Sequence, residues 1–260
     1  MDSASEVKEV VREKYGQLAV QSTQSGCCGS TDISCFADDY TQLAGYVAEA
    51  DLGLGCGVPT EIAQMKPGDT VLDLGSGAGN DVFIARAIVG DSGRVIGVDM
   101  TEAMIEKARA NAEKLCFSNV EFRFGEIEAL PVDDNSIDVV ISNCVLNLVP
   151  NKRQAFSEIW RILKPGGHFS ISDIVVEGEL PEAVRRSAEA YVGCVAGAMS
   201  KTDYLGIIEQ AGFAANIAKQ KRLSIPDELL QEIMSAEEAR EFQESNNQLV
   251  SVTVYGEKRA

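Results

Sequence analysis

A glycine-rich turn between an apolar segment and a helix-forming segment constrains the fold of this chain more than any other stretch. Residues 70–81 read Thr-Val-Leu-Asp-Leu-Gly-Ser-Gly-Ala-Gly-Asn-Asp, and a helical pattern continues to Val89. Because glycine has no Cβ, Gly75, Gly77 and Gly79 let a ligand approach the main chain closely. The first turn of the helix adds N–H groups without intrahelical partners. The stretch therefore predicts a strand, a tight ligand-binding loop and a helix.

Two aspartates beside this loop indicate what kind of ligand it binds. Asp73 lies near the end of the first predicted strand, and Asp99 ends a second one that begins near Gly93. A dinucleotide-binding loop requires its third glycine at position 80, where this chain has Asn80. A carboxylate beside the glycines favours a cationic ligand group over a pyrophosphate. Asp99 is placed to accept hydrogen bonds from two ribose hydroxyls. The alternative is an ordinary glycine-rich α/β turn.

Apolar strands alternate with helices along the chain. The predicted strands after the first are 93–98, 120–124, 136–142, 167–174, 211–223 and 249–255, and the main predicted helices are 80–89, 102–115 and 151–163. Strands that are apolar on both faces are typical of a parallel sheet covered by helices. We predict an α/β fold with a mainly parallel seven-stranded sheet, an antiparallel edge and helices on both faces.

The chain divides into three predicted regions. Residues 1–50 form an N-terminal helix and a mobile cysteine-bearing segment, residues 51–223 form the ligand-binding domain, and residues 224–260 contribute an acidic helix and the closing strand. Ligands are expected at the carboxyl ends of the parallel strands. At one such end Glu126 and Ile127 are placed to flank an adenine, although the same loop is also consistent with a merely polar turn.

The charge of the chain restricts its partners. A formal charge of −17 and a pI near 4.5 would repel nucleic acid and anionic membranes. We expect a small neutral or cationic substrate. The sequence shows neither a secretory leader nor an apolar run of the roughly 18 residues that a membrane span needs. These observations predict a soluble, cytoplasmic protein.

Seven cysteines are many for such a chain, and an odd number does not make a complete disulfide framework. We interpret them as reduced thiols. Cys27 and Cys28 are adjacent in a glycine-flanked loop, and Cys56 has a glycine on each side, which predicts an approachable sulfur. Cys144 follows a predicted strand, and Cys194 lies beside a glycine in a helix interruption. Packing in the core is the alternative for the last two.

Two further residues are predicted to be structural. Cys116 stands between Leu115 and Phe117 at the end of an amphipathic helix, and His168 is the only histidine, in a predicted strand. The chain therefore lacks a convincing general base of the kind that acceptors bearing N–H or O–H groups need. Three soft thiolates, in contrast, form a natural cage for a thiophilic centre such as trivalent arsenic, whose lone pair needs no deprotonation.

The arrangement of Asp73, the glycine loop and Asp99 resembles the class I S-adenosylmethionine-dependent methyltransferases. More closely, four stretches resemble motifs of the arsenite S-adenosylmethionine methyltransferases: 51–59, 142–152, 171–173 and 191–198. The most specific is Ser-Asn-Cys-Val-Leu-Asn-Leu, residues 142–148. The resemblance implies a Rossmann-like class I methyltransferase fold. It implies a donor site formed by Asp73, Gly75, Ser76, Gly77, Asp99, Met100, Glu126, Ile127 and Asn143.

The same resemblance implies roles for the thiols. Cys144 and Cys194 would bind arsenic(III) throughout, joined by Cys56, and either Cys28 or Cys27 would form a transient disulfide with Cys56. The implied reaction is the transfer of methyl groups from S-adenosylmethionine to arsenite or to its thiol conjugates, such as glutathione complexes, in arsenic detoxification. A thioredoxin-type or glutathione-type reductant would reset the enzyme.

Two alternatives stay open at this point. One is a class I methyltransferase of another small metabolite, with cysteines that only pack. The other is a non-catalytic thiol protein that binds metalloids or zinc without S-adenosylmethionine. The glycine loop with its two acids argues against the second.

Overall fold

The computed structural model describes residues 4–21, 38–179, 181, 184, 195, 197–223, 235, 237–240 and 247–259. The strands are β1 (Thr70–Leu74), β2 (Arg94–Asp99), β3 (Val120–Phe124), β4 (Ile137–Asn143), β5 (Leu163–Glu177), β6 (Ala214–Leu223) and β7 (Gln248–Glu257). The main helices are α1 (Ala4–Gln21), α2 (Pro59–Ile62), α3 (Asn80–Val89), α4 (Glu102–Lys114), α5 (Lys152–Ile162) and α6 (Lys201–Gln210).

The seven strands form one sheet in the order β3-β2-β1-β4-β5-β7-β6. β1 pairs in parallel with β2 and β4, and the pairs β2–β3 and β4–β5 are also parallel. β7 runs antiparallel to both β5 and β6. The predicted mainly parallel sheet with an antiparallel edge is therefore confirmed.

Helices cover both faces of this sheet because its central strands are apolar on both sides. Successive residues of β1 point to opposite faces. Val71 packs in a cluster with Phe83 of α3, whereas Leu72 packs in another with Phe156 of α5. Both β1 residues are fully buried. The continuous apolar run of β1 is thus explained by burial on both faces.

The strand order reverses at β1, and this reversal positions the ligand site. The chain runs outward from β1 through β2 to β3 and then crosses back to β4 on the other side of β1. At such a switch point the loops after the two central strands separate and leave a crevice. Leu74 of β1 and Ser142 of β4 are register partners beside that crevice, immediately before the glycine loop and Asn143.

The largest departure from the predicted boundaries is β5, which covers Leu163–Glu177 instead of 167–174. Its additional residues pair with neighbouring strands: Leu163 with Ile137 of β4, and Glu177 with Gln248 of β7. Tertiary pairing therefore extends this strand beyond its local pattern. None of the described helices is long and apolar enough to cross a membrane.

Candidate active site

A cavity lies at the carboxyl ends of β1, β2 and β4. The structure brings all nine predicted donor-site residues to its wall, namely Asp73, Gly75, Ser76, Gly77, Asp99, Met100, Glu126, Ile127 and Asn143. Cys144 lines the same cavity. Helix α1 contributes Lys8, Val11 and Tyr15. One wall is therefore the glycine loop, and another is α1, the first helix of the chain.

The glycine loop is closed by backbone hydrogen bonds to β2. The N–H groups of Gly75 and Ser76 donate to the carbonyl of Val98 at 2.8 and 3.1 Å. Gly75 has a φ of +68°, and a Cβ there would lie 2.5 Å from the side chain of Val145. Gly77, with a φ of +50°, has no atom within 4 Å of the position of an added Cβ. The first glycine is required by packing, and the second leaves the loop open.

Two buried carboxylates, Asp73 and Asp81, and the partly buried carboxylate of Asp99 concentrate acidic groups at the cavity. Burial raises the pKa of Asp73 well above its usual value, and the charges of Asp81 and Asp99 raise it further. Burial also raises the pKa of Asp99, although its oxygens accept from the N–H groups of Thr101 at 2.8 Å and Gly77 at 3.0 Å. Among the described residues, none of the three carboxylates forms an ion pair. A cationic ligand group would relieve this repulsion.

The structure joins Cys56 and Cys144 in a disulfide, with their Cα atoms 5.7 Å apart. The two residues are 2% and 5% exposed and pack against Val11 of α1, Leu148 and Ile174. The prediction that the Cys56 sulfur is approachable is therefore wrong, because α1 and the sheet cover this residue. The thiols are nevertheless adjacent, and Cys144 borders the cavity.

The glycines around Cys56 have a different explanation from sulfur exposure. A Cβ on Gly55 would lie 2.5 Å from the Nδ2 atom of Asn143, and a Cβ on Gly57 would lie 2.6 Å from the Oγ atom of Ser172. The flanking glycines therefore let the Cys56 loop pack directly against the ends of β4 and β5. Glycine at these positions serves close approach of the backbone.

Asn143 holds this loop in place. Its Oδ1 accepts a hydrogen bond from the N–H of Cys56 at 3.1 Å, and its Nδ2 donates to the carbonyl of Gly57 at 2.8 Å. Nδ2 also lies 2.5 Å from the Tyr40 hydroxyl and 3.3 Å from a carboxylate oxygen of Asp81. Thus Asn143, predicted only as a donor-site residue, also positions Cys56 beside Cys144.

Sequence reasoning missed Tyr40 and Asp81. Both line the cavity, and the Tyr40 hydroxyl lies 2.8 Å from the carbonyl of Gly57 and 3.3 Å from Asp81. A signal for Asp81 was present, since it is an acid in the first turn of the helix after the glycine loop. Tyr40 carried no local signal.

Glu126 makes ion pairs with helix α1. Lys8 lies 2.8 Å from one of its oxygens, and Arg12 lies 3.5 Å from the other. Lys8 also pairs with Glu128. Arg12 donates through Nε to the carbonyl of Met100 at 3.3 Å. These contacts secure α1 over the part of the cavity where the loops after β2 and β3 lie.

The remaining predicted residues fall elsewhere. Cys27, Cys28 and Cys194 lie outside the described residues, so the implied transient disulfide of Cys56 with Cys27 or Cys28 stays a prediction. Cys116 is exposed, with a free thiol and a φ of +55°, so its predicted packing role is wrong: the helix ends just before it and turns its side chain outward. His168 lies 2.7 Å from the carbonyl of Ala63, away from the cavity.

Comparison with known proteins identifies the family to which this geometry belongs. Residues 65–212 match the family model described as a methyltransferase domain. An arsenite methyltransferase of Aquipseudomonas alcaligenes is 34% identical over 86% of this chain and 67% of its own length. This chain belongs to the arsenite methyltransferase family. The family predicted from the motifs is confirmed.

Another member of the family, the arsenite methyltransferase of Halobacterium salinarum, is 47% identical over 81% of this chain. The chain spans 58% of the length of that relative. The crystal structure of an arsenic(III) S-adenosylmethionine methyltransferase from Chlamydomonas reinhardtii matches with a TM-score of 0.65 and 34% identity, covering 77% of this chain and 66% of that one. The class I methyltransferase fold is therefore shared as well.

The cavity fits the methyl donor of this family, S-adenosylmethionine, which carries a sulfonium and an ammonium group. Three cavity-lining residues each have a buried side-chain atom with no hydrogen-bond partner among the described residues: Ser76 Oγ, Asn80 Oδ1 and Asp81 Oδ1. Such atoms are rare in folded proteins unless a ligand or water supplies the missing hydrogen bond. Unpartnered polar atoms and excess negative charge are together the features expected of a site for a polar, cationic ligand.

Proposed function

We propose that this protein transfers methyl groups from S-adenosylmethionine to trivalent arsenic, supplied as arsenite or as thiol conjugates such as glutathione complexes. Methylated arsenicals would be the products, and arsenic detoxification the role. The observation that carries the proposal is the adjacency of Cys56 and Cys144 at the wall of an acidic cavity built on the glycine loop. The family supports the same substrate.

The chain's own residues would divide the task between two halves of the site. Asp73, the glycine loop and Asp99 would bind and orient the donor, which supplies a methyl group on a positively charged sulfur. Cys56, Cys144 and Cys194 would hold arsenic as thiolates, which are preferred ligands of a soft centre. Because arsenic(III) already carries a lone pair, the site needs no general base, in keeping with the position of His168 outside the cavity.

The disulfide supports a redox role for the same thiols. Methylation raises arsenic formally to the pentavalent state. When Cys56 and Cys144 close a disulfide, two thiolates lose two electrons in total, and arsenic gains them and returns to the trivalent state. Exchange of the disulfide with Cys27 or Cys28 of the 1–50 region would then expose it to a thioredoxin-type or glutathione-type reductant. Such a cycle belongs in a reducing compartment, for which we propose the cytoplasm.

The decisive experiment measures methylated arsenic directly. The reduced protein is incubated with arsenite, S-adenosylmethionine and glutathione, and the arsenic species are separated by chromatography and quantified by mass spectrometry. Wild-type protein should form methylated arsenic, and Cys144→Ser should reduce the rate at least a hundredfold. Cys116→Ser is the matched control, because this thiol is exposed and outside the cavity, and it should keep full activity.

Two results would contradict the proposal. If Cys144→Ser methylated arsenite at the wild-type rate, the cysteines would not form the substrate site. If the wild-type protein bound arsenite but formed no methylated product with the donor present, it would be a thiol protein that only sequesters the metalloid.

A further inference from the structure

Asp81 is a buried acid at the cavity wall for which the reaction proposed above has no use. It lies in the first turn of α3, directly after the glycine loop, and is 8% exposed. One oxygen, Oδ2, accepts from the Tyr40 hydroxyl and the Asn143 amide, both at 3.3 Å. The other oxygen, Oδ1, is buried and has no hydrogen-bond partner among the described residues. A carboxylate left half unpartnered at a cavity wall indicates a group that the cavity binds.

The surroundings of Asp81 determine the charge of that group. The titratable groups that influence it are Asp51, Asp73 and the neutral hydroxyl of Tyr40. Burial raises the pKa of Asp81 to about 6, against the opposing effect of its two hydrogen bonds, and the charge of Asp51 raises it further. An anionic ligand group would add to this repulsion, whereas a cationic one would be attracted.

Its two hydrogen bonds hold Asp81 in one orientation. Tyr40 and Asn143 both engage Oδ2, and both are themselves fixed by contacts with the carbonyl of Gly57. The Oδ1 atom therefore stays in place without a ligand. A site arranged in this way before the ligand arrives costs little reorganisation on binding.

We propose that Asp81 is a second anionic anchor of the donor site, which together with Asp73 binds the positively charged methionine end of S-adenosylmethionine. The inference rests on the proposed function for the identity of the donor, and it is independent of the arsenic substrate. It assigns a ligand-binding role to a residue outside the glycine loop and outside the two acids that end β1 and β2.

The test compares donor affinity in two matched variants by isothermal titration calorimetry at pH 7.5. Asp81→Asn keeps the size of the side chain and an oxygen that can accept from Tyr40 and Asn143, but it removes the charge. Asp173→Asn is the control, because Asp173 is also buried, accepts from the hydroxyl of Tyr204 at 3.1 Å and does not line the cavity. Circular dichroism and thermal melting verify that each variant is folded.

We expect Asp81→Asn to weaken S-adenosylmethionine binding at least tenfold, the loss typical of one charge-assisted hydrogen bond. Asp173→Asn should stay within twofold of wild type. Unchanged affinity in folded Asp81→Asn would overturn the proposal, and so would an equal loss in both variants, since that would be a general effect of removing a buried acid.

Proton release on donor binding provides a second measurement. A buried carboxylate with a raised pKa must ionise to bind a cation, and this holds for Asp73 as well as for Asp81. Titrations in buffers of different ionisation enthalpy should therefore show a smaller release in Asp81→Asn than in wild type, and an equal release in both would overturn the proposal. If the donor binds as expected but no arsenic is methylated, the proposed function fails and the role of Asp81 stands. If wild-type protein methylates arsenic and Asp81→Asn binds the donor normally, the proposed function stands and the role of Asp81 fails.

Discussion

At the scale of single residues, Asn143 connects the two halves of the site. One side-chain amide contacts the backbone on both sides of the Cys56–Gly57 peptide and also touches Asp81 of the cavity. Cys144, the next residue, has a φ of +59°, and its N–H donates to the carbonyl of Ser172 at 2.7 Å. A backbone held in this left-handed conformation turns the thiol toward Cys56.

Asn143→Ala should therefore impair the reaction between the two thiols. The variant loses two hydrogen bonds to the Cys56 loop, each worth about 1 kcal/mol, so the loop leaves its position beside Cys144 more often. After full reduction, reoxidation to the Cys56–Cys144 disulfide should slow about tenfold, measured by mass spectrometry of the disulfide-linked peptide. Tyr40→Phe keeps both Asn143 contacts and should slow it much less. Equal rates in wild type and Asn143→Ala would show that the loop is held by other contacts.

At the scale of secondary-structure elements, helix α1 closes the cavity from a distance in sequence. Its residues Lys8 and Arg12 reach Glu126, more than 110 positions further along the chain. On its buried side Val11 covers the Cys56–Cys144 pair. One helix thus touches both the donor side and the thiol side of the site. Its ion pairs are partly exposed, and such pairs are individually weak and sensitive to salt.

We expect the double variant Lys8→Ala/Arg12→Ala to loosen α1 without unfolding the domain. The dissociation rate of S-adenosylhomocysteine, the product form of the donor, should rise about threefold to tenfold in stopped-flow measurements, because the helix covers the cavity less of the time. Screening of charges increases strongly between about 0.05 M and about 0.5 M salt. Raising the salt concentration over this range should accelerate release from wild type more than from the variant. Lys14→Ala, an exposed position on the same helix, is the control. An unchanged rate would mean that apolar contacts alone hold the helix.

At the scale of the whole molecule, local patterns predicted the sheet, the glycine loop and the acids at the ends of β1 and β2, because each depends on short segments whose periodicity or glycine content is visible. The contacts that complete the site are different in kind. Tyr40 meets Asn143 across 103 positions, and Ser251 of β7 donates to the carbonyl of Cys56 across 195. No pattern near Cys56 shows that these contacts bury it. The motifs that resemble the family, in contrast, contain both Cys56 and Cys144. The resemblance therefore predicted that the two thiols belong to one site.

The buried acids also predict how the whole protein responds to pH. Burial raises the pKa of Asp81 to about 6 and that of Asp173 to about 7, from 3.8 in both cases. Since the folded state holds these protons more tightly than the unfolded state, their contribution to stability is complete below about pH 4 and is lost as the pH rises through the folded-state values. The free energy of unfolding of the reduced, ligand-free protein should therefore fall between about pH 5 and pH 8.

Urea unfolding at a series of pH values measures this slope. Asp173→Asn should flatten it, because an amide has no proton to lose, and each pKa unit is worth about 1.4 kcal/mol. Repulsion among the surface charges of a chain with net charge −17 slopes in the same direction, but added salt screens it and leaves the buried groups largely unaffected. A slope that vanished in 0.5 M salt, roughly three times physiological ionic strength, would assign the effect to the surface. A slope that persisted in salt and decreased in Asp173→Asn would assign it to the buried acids.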